Sequence, residues 1–366
     1  MLFRSRLSLT DLVTLALATA TAISWRSTRK LDRSALALLA LLLLAALRGL
    51  SDFDVSTVGN SSRLLAEIIA ATLFGYICGR CLTAEQIRGA WALAAGILAI
   101  SGLFFIATHG LGTYGTEGTR ALDSPQALVV ATWVLLVLGG RSSRRENVAA
   151  IGALALVFVS QQRTVWASTA VGLAAIALSA RREMEPGRRR LGYSLIAGAA
   201  VGLPLLLLLG PSSLRVSVET ATNSVSASSG TFGWRLDGWV DLLRRFRGSD
   251  VVDQVVGQPM GTGFARTVFG QQVTVSPHNM YLTVLISLGL VGLIALGTLY
   301  GVALMRTRST QLHAAIWTVA VYSIGYQLTP PLAMILGLGL AAPWASYRRF
   351  GGVPPESHQQ LDLMVR

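Results

Sequence analysis

The sequence is poor in charged residues, which make up only 13% of its 366 residues, while hydrophobic residues make up 52%. Soluble domains carry about a quarter of their residues as Asp, Glu, Lys and Arg, so an ordinary soluble domain is excluded. The apolar residues instead lie in blocks of about 15 to 25, the length that crosses a hydrocarbon core of about 30 Å as a helix. The chain is therefore predicted to be an integral membrane protein.

The sequence is also poor in cysteine and in strand-like alternation. Its two cysteines, Cys78 and Cys81, form "CGRC" in an apolar run. A redox motif would need a thioredoxin-like context and a zinc site would need two more ligands, so we interpret both residues as structural. Membrane β-barrels show segments of about ten residues that alternate polar and apolar, and the run "LALLALLLLAAL" at 36–47 does not alternate. The predicted fold class is therefore all-α.

Eleven membrane-spanning helices are predicted, near residues 7–25, 34–50, 64–82, 88–108, 125–140, 148–162, 165–180, 191–210, 278–304, 313–327 and 330–346. Together they describe a polytopic transmembrane bundle. The predicted parts of the chain are an N-terminal bundle of about eight helices (1–210), a long extracytoplasmic loop (211–275), C-terminal transmembrane helices (276–346) and a cytoplasmic tail (347–366).

The joints between these helices alternate in charge. Sixteen Lys or Arg residues lie in the joints at 26–33, 80–88, 141–145, 181–190 and 305–312, against three in those at 51–63, 109–124, 160–164 and 327–331. The positive-inside rule predicts that the first set is cytoplasmic. The net charge of +13 is then mostly an orientation signal. Arginines that pair with anionic membrane lipids are its second source, and the charge does not indicate nucleic-acid binding.

The external loop carries a predicted amphipathic helix in "TFGWRLDGWVDLLRRFR". At 100° per residue its apolar side chains share one face, namely Phe232, Leu236, Trp239, Val240, Leu243 and Phe246. Such a helix is expected on the membrane surface or on the outer mouth of the bundle. Arg235 projects at the edge of this face, where it would point over the bundle. The glycines at 257, 261, 263 and 270 that follow indicate tight turns rather than a phosphate loop, because no strand precedes them and no lysine follows.

The stretch "SPHNMYL" at 276–282 leads into the next apolar run. Ser276 is a favourable N-cap and Pro277 a favourable first residue, which places His278 in the first helical turn. Free amides at a helix N-terminus attract anions and disfavour an imidazolium. The residues alone leave two interpretations open: a neutral general base beside an anion, or an interfacial histidine that only caps the helix.

A third polar element is "VSQQRTVWAS", which places Arg163 between two long apolar runs. A charge near hydrocarbon depth is costly and suggests function, although a turn needs polar residues and an arginine can extend to lipid headgroups. Arg48, Glu67 and Arg80 lie near predicted helix ends, and we interpret them as structural.

Taken in order, these elements resemble the O-antigen ligase and O-antigen polymerase family of bacterial envelope enzymes. The resemblance rests on "QQRTVW" at an outer helix junction, on "GWRLDGW" followed by "PMGTGF" in one external loop, and on "SPHNMYL" opening the next helix. It covers residues 148–300, and the rest of the chain matches only as a hydrophobic bundle.

The resemblance implies a GT-C-like fold in the cytoplasmic (inner) membrane and transfer of a glycan from undecaprenyl pyrophosphate to an acceptor sugar hydroxyl. It implies catalytic roles for His278, Arg235 and Arg163, with Arg266, Asn279 and Tyr281 as candidate substrate-binding residues. No cofactor and no metal are expected, since the sequence has no clear acidic metal motif of the kind that nucleotide-sugar enzymes use. Whether the acceptor is a lipid-linked core sugar, as for a ligase, or another repeat unit, as for a polymerase, stays open.

The alternative function is a transporter or flippase of lipid-linked glycans. Such proteins usually combine internal repeats, helices broken at the membrane midplane and ionisable residues along a central path. No repeat is visible in this sequence, and its polar residues gather at one predicted outer mouth. The stretch "LTPPLAMILGLG" at 328–339 is the one hint of a broken helix.

Overall fold

The structure is a computed structural model that describes residues 33–110, 121–140, 142–160, 162–183, 231–307 and 309–341. Most of these residues are helical. The predicted spans 7–25 and 191–210, the loop residues 211–230 and the tail 347–366 lie outside the described residues.

The elements, in chain order, are α1 (Arg33–Gly49), α2 (Val55–Cys81), α3 (Ala84–His109), α4 (Ser124–Leu138), α5 (Arg144–Val159), α6 (Arg163–Glu183), α7 (Thr231–Arg247), α8 (Val251–Val256), β1 (Arg266–Val268), β2 (Gln271–Val273), α9 (Met280–Arg306), α10 (Thr310–Gly325) and α11 (Pro330–Ala341). The nine predicted helices that fall on described residues correspond to α1–α6 and α9–α11, although α2 begins nine residues before its predicted start and residues 342–346 of the last lie outside the described residues. The stretch predicted as a hint of a broken helix is the continuous α11.

Short polar residues set where several helices begin. The Thr83 hydroxyl accepts a hydrogen bond from the Gln86 amide at 3.2 Å, while the Gln86 side chain accepts one from the Thr83 amide at 2.9 Å. Ser143 and Glu146 repeat this arrangement at the start of α5. Each pair satisfies amides that the first helical turn leaves without a partner. The helix starts are therefore encoded locally.

Three of the described helices are long and apolar enough to cross a membrane, namely α2, α3 and α9. Shorter apolar helices accompany them, including α4 and α11. Many of the apolar side chains of α3 are exposed, among them Phe104, Ile100 and Leu93. An exposed apolar face on a helix of spanning length is typical of contact with lipid. The chain is therefore a helical membrane protein.

Small residues allow the core helices to approach closely. A Cβ added at Gly337 of α11 would collide with the backbone carbonyl of Thr72 in α2, and one added at Gly75 would collide with that of Met334. Membrane helices pack through such small residues because lipid leaves no hydrophobic driving force between them. The α2–α11 pair is consequently a closely packed part of the bundle core.

The amphipathic helix of the loop is confirmed as α7, and part of its predicted apolar face packs on the bundle. Phe246 is buried against Leu282 and Leu285 of α9, with Trp239 and Leu243 packed beside them. Leu236 and Val240, which belong to the same predicted apolar face, are 48% and 47% exposed. The face that packs also contains Gly238, which faces the β1–β2 hairpin. Helical periodicity indicates that one face is apolar, but the neighbouring elements decide which residues of it are covered.

Candidate active site

His278 does not lie in a helical turn, in contrast to the prediction. The helix begins at Met280, and its N-cap is Asn279, whose side-chain oxygen accepts a hydrogen bond from the Leu282 amide at 3.0 Å. Ser276 and Pro277 therefore precede the helix instead of capping it. His278 has a φ of 50°, a left-handed conformation that non-glycine residues adopt rarely and at a cost of about 1–3 kcal/mol. Surrounding contacts must hold it there.

Two side chains from distant elements hold the turn that carries His278. Trp239 of α7 donates its indole N–H to the carbonyl of Pro277 at 2.7 Å. The Arg266 guanidinium donates to the carbonyl of Val275 at 2.5 Å, with a longer contact to that of Ser276 at 3.4 Å. Both side chains bind backbone carbonyls, and together they fix the backbone from Val275 to Pro277, directly before His278.

Arg266 is 1% exposed and is enclosed by loop residues. Its guanidinium lies over the ring of Trp234, 5.4 Å from the ring centroid. A Cβ added at Gly238 would lie 2.6 Å from the Arg266 Nε, so the absence of a side chain at position 238 makes room for the guanidinium. Burial lowers the pKa of Arg266, because removal from water disfavours the charged form. Arg266 was predicted to bind substrate, and its contacts here are those of a residue that positions the loop.

Arg235 reaches from α7 to the end of α10. It donates to the carbonyl of Gly325 at 3.0 Å, and its guanidinium carbon lies 4.7 Å from the centroid of the Tyr326 ring. The carbonyls of the last helical turn carry a partial negative charge, and an aromatic face attracts a cation. Arg235 thus points over the bundle, as predicted from its place at the edge of the amphipathic face.

The ring of Tyr326 joins Arg235 to His278. The His278 imidazole meets this ring edge-on, with 6.2 Å between the ring centroids. Tyr326 also stacks on Tyr322, which is fully buried, with 5.2 Å between the ring centroids. Tyr326 was not predicted to belong to the site, because no motif or spacing distinguishes a tyrosine at this helix end.

The electrostatic environment of His278 favours the neutral imidazole. Its pKa is lowered, first by burial and then by the positive charges of Arg235 and Arg266. Both effects disfavour the imidazolium, because it is the charged form and has the same sign as its neighbours. A neutral imidazole accepts a proton, which is what a general base must do.

Arg163 is the first residue of α6, and this end of α6 meets the end of α10. A Cβ added at Gly325 would lie 2.8 Å from a methyl carbon of Thr164, the residue next to Arg163. Gly325 is also the residue whose carbonyl binds Arg235. The start of α6 and the arginine of α7 therefore reach the same helix end.

The turn before Arg163 is fixed by Gln162, which is 3% exposed. Its amide nitrogen donates to the carbonyl of Leu122 at 3.0 Å, and its oxygen accepts from the hydroxyl of Ser124 at the start of α4. Gln161, the other glutamine of the motif, lies outside the described residues. Gln162 therefore ties the start of α6 to the start of α4.

The remaining predicted residues have partners within the protein. Asn279 caps α9, and the Tyr281 hydroxyl donates to the carbonyl of Ala320 at 2.8 Å. These contacts fix the start of α9 and do not themselves test a role in substrate binding. Asp237, a carboxylate of α7 that could also act as a base, accepts a hydrogen bond from the Phe269 amide at 3.0 Å, on the hairpin side of the helix.

The candidate site thus joins Arg235 and His278 through the Tyr326 ring, where α7, the start of α9 and the end of α10 meet, and α6 begins with Arg163 beside the same end of α10. Within the part of the chain that the structure describes, His, Cys, Asp and Glu side chains form no group of three or more that would hold a metal ion. No protein-family model matches the sequence, and no curated protein matches it. The family resemblance therefore stays a prediction that rests on the motifs.

Proposed function

We propose that the protein is a membrane glycosyltransferase that moves a glycan from undecaprenyl pyrophosphate to a sugar hydroxyl on the outer face of the cytoplasmic membrane. The observation that carries the proposal is that Arg235 and His278 both lie against the Tyr326 ring. The start of α6, with Arg163, packs against the same end of α10. A proton acceptor beside a permanent cation suits the displacement of a pyrophosphate, whose growing negative charge must be stabilised.

In the proposed reaction the acceptor hydroxyl attacks the anomeric carbon of the donor sugar. A bond forms between the acceptor oxygen and this carbon, while the bond between the carbon and the pyrophosphate oxygen breaks and its electron pair leaves with the pyrophosphate. His278 accepts the proton of the acceptor hydroxyl and later releases it to water. Attack from the face opposite the leaving group inverts the anomeric centre.

The arginines would stabilise the charge that grows on the leaving group. A guanidinium stays protonated at any working pH and binds two phosphate oxygens at once. Removal of one such donor from a preorganised site commonly costs about 10²–10³ in rate. Arg163 and Arg235 would share this role without a metal ion.

The proposal includes the finer architecture of about eleven spans and a GT-C-like arrangement, with the loop 211–275 outside. The charge distribution of the helix joints supports this orientation. The chemistry is the same for a ligase and a polymerase, since both use a lipid pyrophosphate donor and a sugar hydroxyl acceptor.

A transporter or flippase of lipid-linked glycans is the second candidate, and one observation favours it. Gly289 interrupts α9 with a φ of 67°, so this helix of spanning length is broken. Transporters place their binding sites at such breaks. However, the break lies against the backbone of residues 255 and 257, and the cations and the histidine lie at the helix ends.

The experiment is a transfer assay with the purified full-length protein in nanodiscs, undecaprenyl-pyrophosphate glycan, candidate acceptors and EDTA. Transfer in EDTA that is lost in a His278→Asn variant supports the proposal. Equal transfer by wild type and variant would contradict the base, and loss in EDTA would contradict the metal-free route. Product size separates a ligase from a polymerase: one preassembled chain on a core, or a ladder of repeat units. Movement of the donor across the bilayer without transfer would favour the flippase.

A further inference from the structure

The segment that follows α7 does not lie on top of the bundle. It comprises α8 and residues 257–260, and its backbone binds the backbone of two other helices. The Gln258 amide donates to the carbonyl of Ile286 in α9 at 2.8 Å. The Met260 amide donates to the carbonyl of Ala45 in α1 at 3.1 Å. The segment is therefore wedged between α1 and α9.

These partners show how far the segment descends beside the helices. Ile286 is six residues into α9, which begins at Met280, and a helix rises 1.5 Å per residue, so the contact lies about 9 Å below the start of α9. Ala45 lies four residues before the end of α1 at Gly49, or about 6 Å below that end. The segment thus enters and leaves the bundle on the loop side.

The break in α9 accommodates this descent. A Cβ added at Gly289 would collide with the carbonyl of Val255 and the amide of Gly257. Arg48 of α1 binds the segment from the other side, with an ion pair to Asp253 at 2.6 Å and a hydrogen bond to the carbonyl of Gly257 at 2.6 Å. Polar groups at membrane depth must be paired within the protein, and these contacts pair them.

The outward face of α8 is apolar and unpacked. Val251, Val252 and Val255 are 75%, 59% and 40% exposed, and their spacing places them on one side of the helical turn. The next exposed residues of α9 beyond the break, Leu290 and Val291, are also apolar. Because Val255 and Gly289 are in contact, the valines continue the exposed apolar face of a helix that is long enough to span a membrane.

We infer that α8 is a re-entrant element whose valines contact lipid acyl chains in the leaflet on the loop side. Hydrocarbon is the occupant that fits, because the neighbouring face of α9 belongs to a candidate membrane span and the segment lies below the ends of two helices. This inference does not depend on the proposed enzymatic function. Through these valines, α8 anchors the 231–277 loop to the bilayer at a position separate from α7.

The test is collision accessibility of a nitroxide label in liposomes that contain the full-length protein. Single cysteines are placed at Val252, at Ile294 and at Phe269, in a background with Cys78→Ala and Cys81→Ala. Ile294 of α9 is 67% exposed and serves as the lipid control, whereas Phe269 in the hairpin turn is 54% exposed and serves as the water control. The quantity compared is the ratio of collisions with oxygen to collisions with a water-soluble nickel chelate.

We expect the ratio of oxygen to nickel collisions at Val252 to lie closer to the ratio at Ile294 than to the ratio at Phe269. A Val252 ratio on the Phe269 side would overturn the inference. If the Val252 variant does not fold, Val255 supplies a second label position on the same face, with the same two outcomes.

Discussion

Arginines lie at both ends of the helical bundle, but their surroundings differ. At the end where α2 finishes and α5 begins, Arg80, Arg144 and Arg145 are exposed. At the end covered by the 231–277 loop, Arg266 is fully buried and Arg235 is partly buried against Tyr326. The first group needs only water and lipid headgroups around it, whereas each member of the second has specific carbonyl and aromatic partners.

This difference indicates at which positions the removal of one arginine should change the stability of the protein. An exposed guanidinium keeps its hydration, so its removal changes stability by about 0.5 kcal/mol or less. A guanidinium that is buried with hydrogen-bonded carbonyls leaves those carbonyls without a partner when it is removed, at about 1–3 kcal/mol each. The loop end is therefore expected to be far more sensitive to substitution than the exposed end.

The largest expected effect is that of His278→Asn. Asparagine tolerates the left-handed backbone conformation better than most residues, so the fold should survive while the base is lost. We expect glycan transfer to fall by about 10²–10⁴ with little change in thermal stability. Transfer kinetics and a melting curve of the same preparation check this. An unaltered transfer rate would remove His278 from the mechanism.

Arg235→Lys, compared with an arginine variant at the exposed end, tests whether glycan transfer depends on the arginines of the loop end. Lysine keeps the charge but loses the planar group that lies over Tyr326 and binds phosphate bidentately. We expect transfer to fall by about 10²–10³, as for other preorganised donors. The matched control is Arg144→Lys, which should transfer at the wild-type rate. If both variants lose activity equally, the distinction between the two ends is wrong.

Gly238→Ala should reduce the space that the Arg266 guanidinium occupies and so destabilise the protein. The new methyl group would lie 2.6 Å from the Arg266 Nε, and overpacking of this kind costs about 1–3 kcal/mol. Gly89→Ala in α3 is the control, because a Cβ there meets nothing within 4 Å and alanine favours a helix. Thermal unfolding in one detergent compares the two. Equal stability of the two variants would show that position 238 does not confine the arginine.

Trp239→Phe should have a smaller effect. It removes the indole donor and leaves the Pro277 carbonyl without its 2.7 Å partner, a loss of about 1 kcal/mol. Trp317→Phe removes an indole N–H from an exposed pair with His313 and should cost less. If Trp239 positions the base, its variant should also shift the pH profile of transfer, which a purely structural contact would not do.

The smallest expected effect is on the pH dependence of stability. The pKa of His278 is lowered in the folded protein, so the unfolded chain binds the proton more tightly. The contribution of His278 to stability is therefore present above about pH 6.5, the pKa of a free histidine, and is lost as the pH falls below it. Wild type should lose more stability than His278→Asn between pH 7 and 5. The opposite order would mean that the folded protein stabilises the imidazolium.

Arg235 and α7 show how far periodicity carries a prediction. The alternation of apolar and polar residues predicts the helix and the position of Arg235 at the edge of its apolar face. It does not predict that Leu236 and Val240 stay exposed, because that depends on how α9 and the hairpin meet the helix. Tyr326 carries no signal in the sequence, since its role comes from lying between residues that are distant in the chain.

The turn at Ser276 shows why a local rule fails. A serine followed by a proline is a good helix start, yet the helix begins at Met280. Trp239 and Arg266 bind the carbonyls of residues 275–277 and hold them outside the helix, and Asn279 supplies an equally good cap. The observed start places His278 in a left-handed conformation, so long-range hydrogen bonds select it against the local preference.

The amino-acid sequence by itself determined the helices, the membrane class and the polar segments that contribute to the site. Those features depend on apolar run length and on caps within a few residues, which are properties of neighbouring positions. Only the tertiary structure decided the left-handed backbone of His278, the joining of His278 to Arg235 through Tyr326, and the descent of α8 beside the break at Gly289. Each of these depends on side chains and carbonyls that meet across long separations in the chain.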